Sequence, residues 1–299
     1  MDQSEHVGGI SGDGGRLLFD SHAHLIIDDP VRYPVAPAGG AAGPMDLTDP
    51  MTAERLLKEM DENGVRRAVL VQRASVYGYD NRYVCESAAK YPKRFRAVVS
   101  IDAAAADAGD RVRYWVRDQG ATGIRLMEPV KGADLSWLVA PQVWRAAVDL
   151  DVPVCVHFFR WNRLAGLAAL ADILSSLPEV RVVVDHFSNM ACESGPPDYG
   201  LDAALRALVR HSRACVKFTT IPLGALARQG IDAARVLARM LTEFGAERLM
   251  WGSDITQSQG SYGYMVGLAT SATASLPAAV RRQILYGTAN AVYRGAEET

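Results

Sequence analysis

Short apolar runs that suit β-strands alternate with amphipathic segments that suit α-helices eight times along this chain. The apolar runs fall at 16–19, 68–72, 95–101, 123–126, 153–158, 181–186, 214–218 and 248–251. Several are continuous and rich in valine, as expected for parallel strands covered on both faces. The amphipathic segments fall at 52–63, 83–90, 110–119, 142–150, 164–177, 201–211, 232–244 and 277–285. Eight such cycles with right-handed crossovers predict an α/β fold, a single (β/α)8 TIM barrel.

An open, doubly wound sheet is the competing architecture, but no GxGxxG motif follows the first apolar run, which weakens it. We predict that the barrel spans 16–299. Residues 1–15 are polar and glycine-rich without an apolar core, so we expect a disordered lead-in rather than a signal peptide. Two long insertions, 26–50 and 188–200, follow predicted strand ends, where barrel loops form the walls of active sites.

The composition excludes several classes of partner. A net charge of −2 gives no basic surface for nucleic acid, and no apolar run approaches the roughly 18–20 residues that span a bilayer. The four cysteines form no CxxC pair, so we expect reduced thiols and a cytoplasmic protein. A small-molecule substrate is the expected partner, and assembly into a homo-oligomer is a further possibility.

Four of the six histidines fall at or just after the carboxyl ends of predicted strands. His22 and His24 are two residues apart, so in an extended segment both face one side, which can be the barrel interior. His157 ends the fifth strand, His186 ends the sixth, and Asp254 follows the eighth. A lone histidine is more often structural, but five such residues at one end of a barrel converge on one cavity. Imidazole and carboxylate together suit zinc or another first-row divalent ion.

The segments FDSHAH, VCVHF, VVVDHF and MWGSD that carry these residues resemble the amidohydrolase-related (amidohydrolase 2) family. The closing ILYGTANAVYR resembles the terminal segment of that family. Two further stretches, at 32–34 and 69–81, resemble the subgroup of 2-pyrone-4,6-dicarboxylate lactonase and related sugar-lactone and muconolactone hydrolases. The resemblance covers about 19–294, and its VQ-x4-YG-x-DN segment is more specific than the HxH motif.

The resemblance implies one divalent metal ion, zinc with manganese as the alternative, held by His22, His24, His157 and Asp254. His186 would stand beside it, near the reacting carbonyl. Two-metal relatives use a carboxylated lysine at the fourth strand, and GIRLM here contains none, which favours a single ion. The pyrone lactonase is understood to work without metal, so a metal-free mechanism stays open.

The resemblance implies hydrolysis of a lactone or similar cyclic ester. Asp254 would take a proton from water, and His186 would polarise the carbonyl. Asp185 is expected to point away from His186 along the strand and to have a packing or supporting role. A metal-dependent decarboxylase or hydratase acting on an aromatic or unsaturated carboxylic acid is the alternative, because it shares this ligand set. A barrel that binds without catalysis is a third hypothesis, which the intact residue set disfavours.

Cationic side chains would be needed for a substrate that carries carboxylates. Arg125 in the fourth strand and Arg73 after the second are the best placed, since a guanidinium fits a carboxylate with two hydrogen bonds. Tyr79, Tyr33 and Lys217 are further candidates. Arg73 could instead be a surface residue, and Lys217 could instead form a buried salt bridge.

Overall fold

A computed structural model describes residues 17–294, so the predicted lead-in at 1–15 lies outside the described residues. Eight parallel strands form one sheet in which β1 to β8 follow one another in chain order. The strands are β1 (Leu18–Ala23), β2 (Val65–Val71), β3 (Phe95–Ser100), β4 (Gly123–Met127), β5 (Val154–His157), β6 (Val182–Val184), β7 (Ala214–Thr219) and β8 (Leu249–Gly252).

The sheet curls until β8 meets β1, so the barrel is nearly closed. The Ser21 hydroxyl of β1 donates to the Trp251 carbonyl of β8 at 2.6 Å. Just beyond the strands, the amide of Asp254 donates to the carbonyl of His22 at 2.7 Å. The predicted (β/α)8 TIM barrel is therefore confirmed.

Helices cover the outside of this barrel. They are α1 (Ala53–Glu62), α2 (Ala74–Tyr77), α3 (Arg82–Lys90), α4 (Ala108–Arg113), α5 (Pro141–Asp149), α6 (Arg163–Ser176), α7 (Ala203–Arg206), α8 (Thr220–Arg228), α9 (Ala233–Phe244), α10 (Tyr262–Ala272), α11 (Ala278–Arg282) and α12 (Thr288–Val292). The start of α1 is typical, because the Thr52 hydroxyl accepts from the Arg55 amide at 3.2 Å.

Three predicted helices change type along their length. Segment 110–119 starts in α4 and ends in a π-turn at Tyr114–Asp118, and 277–285 overlaps a second π-turn at Gln283–Gly287. Segment 201–211 becomes a 3-10 turn at Ala207–Arg210. The amphipathic pattern does not predict α2, α8, α10 or α12, because mostly apolar or short segments lack a clear polar face.

The barrel has an inner and an outer core. The outer core lies between strands and helices, and the inner core fills the barrel with side chains such as Phe19, Val69, Val183 and Met250. Tyr293, just after α12, also belongs to the inner core and is 1 % exposed. The terminal segment therefore closes the barrel floor, at the end opposite the strand carboxyl termini.

Glycine at position 166 lets α6 approach β5 closely. A Cβ on Gly166 would lie 2.4 Å from the fully buried ring of Phe158. We expect Gly166→Ala to lower the free energy of unfolding by about 1–3 kcal/mol, as overpacking does. Gly267→Ala is the matched control in α10, where a Cβ meets nothing within 4 Å. That control should be neutral or stabilising, and equal effects in urea denaturation would contradict the prediction.

Among residues 17–294, no helix is both long and apolar enough to cross a membrane. All four cysteines are free and buried.

Candidate active site

A β-bulge in β1 aims both histidines of the HxH motif into the barrel. Phe19 faces inward, so unbroken alternation would turn His22 and His24 outward. The register between β1 and β2 shifts here: Asp20 pairs with Ala68, and Ala23 pairs with Leu70. An advance of three residues along β1 therefore matches an advance of two residues along β2. The extra residue reverses the alternation, as bulges do. The first strand is thus longer than the predicted 16–19 and includes most of the motif.

A left-handed turn after β6 brings His186 to the same place. Val183 and Asp185 share the inward face, so alternation would point His186 outward. Four consecutive residues, 186–189, have φ between 50° and 56°, which is uncommon for residues other than glycine. The His186 ring consequently lies 4.9 Å from that of His22, centroid to centroid. The expectation that Asp185 points away from His186 is wrong, because the turn re-aims the histidine.

The end of β8 contributes Asp254, whose backbone is also left-handed, with φ 59°. Its Oδ2 accepts from the Ser258 hydroxyl at 2.8 Å. Glycine at 252 allows the close approach of β8 to β1, because a Cβ there would lie 2.5 Å from the Cβ of His22. The bulge and this glycine together bring the carboxylate beside the HxH motif.

Three donor atoms form a compact triangle. His22 Nε2 lies 3.3 Å from His24 Nε2 and 3.6 Å from Asp254 Oδ1, and His24 Nε2 lies 3.4 Å from the same oxygen. Asp254 Oδ1 is buried and has no hydrogen-bond partner among residues 17–294. A tetrahedral ion at about 2.1 Å from its ligands implies ligand separations of about 3.4 Å, so the triangle fits one divalent ion.

The protonation of these groups also fits a metal. His24 Nδ1 lies 2.7 Å from the Val71 carbonyl, which can only accept, so Nδ1 carries the hydrogen and Nε2 is free. Burial lowers the pKa of His22 and of His24, which keeps both neutral. Burial would raise the pKa of Asp254, but its contacts with His24, His186 and His22 bring it to about 2. The carboxylate is therefore ionised at neutral pH.

His157 lies nearby but in a different setting. Its ring is edge-on to that of His186 at 5.0 Å, and its Nδ1 lies 3.2 Å from Arg125 Nη2. A guanidinium only donates, so this arrangement leaves the histidine hydrogen on Nε2. Within the described part of the chain, His157 is in neither group of donors that could hold an ion. Its role as a metal ligand stays a prediction.

Arg125 and Lys217 both face the barrel interior, where they pair with Asp185. Arg125 Nε donates to Asp185 Oδ2 at 3.0 Å, and Lys217 Nζ lies 3.2 Å from Oδ1. Lys217 is fully buried, so the structure favours the salt bridge that competed with its predicted substrate-binding role. Burial would raise the pKa of Asp185, but Lys217, His22 and Arg125 hold it well below its ordinary value.

Arg73 is buried and joins three loops rather than lying on the surface. It donates to the hydroxyl of Thr256 and to the side chain of Gln257, both at 2.9 Å, and to the carbonyl of Pro44. Its Nε has no hydrogen-bond partner among the described residues. The insertion 26–50 thus packs against the loops after β2 and β8, as expected for part of the pocket wall.

The two tyrosine candidates lie in different environments. Tyr79 is partly buried after α2, and burial together with Asp102 raises its pKa to about 12. The Tyr33 hydroxyl donates to Glu86 at 2.6 Å, and its ring packs against that of Tyr83 at 5.0 Å. The contacts described for Tyr33 are therefore with Glu86 and Tyr83 and not with the histidines.

The second insertion, 188–200, also reaches the site. With His186 and α8 it lines a cavity of about 40 Å³. Across the mouth, the rings of Phe159 and Trp161 stack at 4.4 Å, and Phe159 lies edge-on to His157 at 4.6 Å. The indole of Trp161 donates to Glu128 at 2.6 Å, which ties the loops after β4 and β5 together.

Two residues that support the histidines, Asp20 and Thr219, were not among the predicted site residues. Asp20 accepts from the amides of His22 and Ser253, at 3.0 and 2.8 Å, and so couples β1 to β8. Thr219, at the end of β7, places its hydroxyl 2.7 Å from His186 Nδ1. The position of Asp20, two residues before the HxH motif, was an available signal, whereas Thr219 gave none.

Comparison with known proteins agrees with this arrangement. Residues 19–295 match the family model described as Amidohydrolase. The chain is 27% identical over 224 residues to an L-fucono-1,5-lactonase of Burkholderia ambifaria, covering 74% of this chain and 73% of the relative. It is 26% identical over 240 residues to a 4-sulfomuconolactone hydrolase of Hydrogenophaga intermedia, covering 79% and 73% respectively.

A solved structure shares the fold. It is a probable 2-pyrone-4,6-dicarboxylic acid hydrolase of Acinetobacter baumannii, with a TM-score of 0.72 and 18% identity. The match covers 92% of this chain and 98% of that one. The resemblance to the family and to its lactone-hydrolysing subgroup is therefore confirmed.

Proposed function

We propose that this chain, which belongs to the amidohydrolase family, is a hydrolase that opens the lactone ring of a small carboxylate-bearing substrate. The observation that carries the proposal is the triangle of His22, His24 and Asp254, with its unpartnered buried carboxylate oxygen. The two relatives named for lactone hydrolysis support the reaction class.

The donor set fits one divalent ion, and zinc suits two imidazoles and a carboxylate better than calcium or magnesium. Manganese is the alternative. His22, His24 and Asp254 would hold the ion, with His157 as the predicted fourth ligand. When bound, such an ion polarises a carbonyl and lowers the pKa of water from 15.7 toward about 7. A second donor group, of His22, Asp185 and His186, already has the ammonium of Lys217 against its carboxylate.

The protein groups supply the proton transfers. Asp254 takes a proton from water as the water oxygen bonds to the lactone carbonyl carbon. The ring C–O bond then breaks, and Asp254 returns the proton to the leaving alkoxide. His186, oriented by Thr219, faces the developing oxyanion. The product is a hydroxy acid, which releases one proton to the medium.

A panel of lactones tests the proposal. Protein loaded with Zn²⁺ is incubated with L-fucono-1,5-lactone, 4-sulfomuconolactone and 2-pyrone-4,6-dicarboxylate, and acid release is followed with a pH indicator. We expect hydrolysis of at least one anionic lactone, with a higher kcat/KM than for the neutral sugar lactone.

Two other results would identify a different function. Release of CO2 from a hydroxybenzoate, with no lactone opened, would make the chain a decarboxylase. Ligand binding without turnover, with equal affinity in Asp254→Asn, would indicate a barrel that only binds.

Arg73 is our proposed partner for the substrate carboxylate, because its buried guanidinium is fixed in place and its Nε is unpartnered. We expect Arg73→Gln to raise KM for an anionic lactone by about tenfold or more, since a charge-assisted hydrogen bond contributes about 1.5–3 kcal/mol. KM for a neutral lactone should change far less. Arg239→Gln, which removes a surface arginine paired with Asp198 and Glu243, is the control. Equal losses on both substrates would contradict a carboxylate-binding role.

A further inference from the structure

Three buried charges lie beneath His22, on the barrel side away from the donor triangle. Asp185 follows β6, Lys217 lies in β7 and Arg125 lies in β4. All are at most 5 % exposed. We call them the floor charges. Arg125 holds Asp185 Oδ2 at 3.0 Å, which leaves Oδ1 between Lys217, at 3.2 Å, and His22 Nδ1, at 3.4 Å.

The Nδ1 of His22 has two neighbours of opposite character. Lys217 Nζ, at 3.2 Å, can only donate, whereas the Asp185 carboxylate, at 3.4 Å, can only accept. Which of them pairs with Nδ1 depends on which ring nitrogen carries the hydrogen. When Nε2 is a ligand, the hydrogen is on Nδ1, and Asp185 is then the neighbour able to accept it.

We propose that Asp185 is the positioning residue of His22: its Oδ1 accepts the Nδ1–H and so presents Nε2 to the ion. Asp185 Oδ1 is buried, and among residues 17–294 it lies close to Lys217 Nζ and His22 Nδ1 without a hydrogen bond of good geometry to either. Its acceptor capacity is thus available. A carboxylate behind a ligating histidine fixes the ring orientation and raises its basicity. The inference rests on the metal site of the proposed function.

Lys217 and Arg125 have a separate role, because their positive charges stabilise the buried carboxylate of Asp185. An isolated charge in the barrel interior would be strongly disfavoured, and two cations compensate it. The floor charges sum to +1, so Lys217→Met leaves a balanced Asp185–Arg125 pair. Asp185→Asn instead leaves two cations together, and the double variant Asp185→Asn/Lys217→Met restores the wild-type sum. These variants therefore separate the effect of losing the hydrogen-bond acceptor, Asp185, from the effect of changing the net charge around it.

Zinc affinity measured by chelator competition tests the inference on the metal alone. We expect Asp185→Asn to weaken Zn²⁺ binding by about 10–100-fold, as loss of such a partner does. The double variant should show the same loss and covers the case in which the single variant does not fold. Lys217→Met should bind zinc about as tightly as the wild type, because the acceptor is still present. Asp202→Asn, which removes a carboxylate paired with Arg163 outside the barrel, is the matched control.

The outcomes distinguish this inference from the proposed function. A wild type that binds zinc, with Asp185 variants of unchanged affinity, would overturn the inference alone. Loss of affinity in Lys217→Met and not in the double variant would assign the role to the lysine and overturn it as well. A wild type that binds no divalent ion would overturn the metal site, and this inference with it. In the zinc-loaded protein, a slowly exchanging His22 Nδ1–H resonance should be displaced in the Asp185 variants.

Discussion

Replacement of Asp254 by asparagine is expected to reduce lactone hydrolysis by about 10²–10⁴-fold, the contribution typical of a positioned general base. Asparagine keeps the shape of the side chain but cannot take a proton from water. The native carboxylate is ionised, with a pKa of about 2, so it is ready to act throughout the neutral range. Steady-state rates on the best substrate of the lactone panel measure the loss.

The controls for this variant separate chemistry from folding. Asp202→Asn removes another partly buried carboxylate outside the histidine cluster and should keep the wild-type rate. Circular dichroism and Tm should show that both variants are folded. A rate for Asp254→Asn within a few-fold of the wild type would remove Asp254 from the mechanism.

Removal of divalent metal is expected to abolish hydrolysis, and one equivalent of Zn²⁺ or Mn²⁺ should restore it. The physical reason is the buried, unpartnered Asp254 Oδ1 beside the Nε2 atoms of His22 and His24. Such an oxygen is costly unless a cation or a hydrogen-bond donor satisfies it. Loading should also stabilise the fold by about 2.7 kcal/mol when free metal is at 100 times its Kd. Activity, elemental analysis and Tm are measured on the same samples.

Calcium is the control ion, because it prefers six to eight oxygen ligands and should not restore activity. Full activity in protein that elemental analysis shows to be free of metal would contradict the prediction. The reaction would then depend on Asp254 as base, with histidines and arginines around the oxyanion.

The barrel could be predicted from sequence because its pattern is repeated. Each strand is a short apolar run and most helices have a polar face, so errors at single boundaries do not change the architecture. The strand that carries the HxH motif is the instructive exception. Periodicity counted from Phe19 would place His22 and His24 outside the barrel, and the bulge that reverses this has no sequence signature.

The candidate site could be predicted as a set of residues, but not as a geometry. Strand-end positions brought His22, His24, His186 and Asp254 into consideration, and the structure places them together. Asp185 was expected to point elsewhere, because alternation along a strand cannot foresee four left-handed residues in succession. Pairings such as that of Arg125 with Asp185 join strands distant in sequence, and they arise only when the barrel closes.

The terminal segment that closes the barrel floor has a consequence for how this protein is made. The Tyr293 hydroxyl lies 3.0 Å from Cys155 Sγ, and the Tyr293 ring lies 5.6 Å from the ammonium of Lys217. A ribosome-bound chain from which only the eight strands have emerged has not yet placed this side chain, and it therefore lacks one wall of its inner core. Final packing around Lys217, and with it the placement of Asp185 and His22, must await the last part of the described chain to be synthesised.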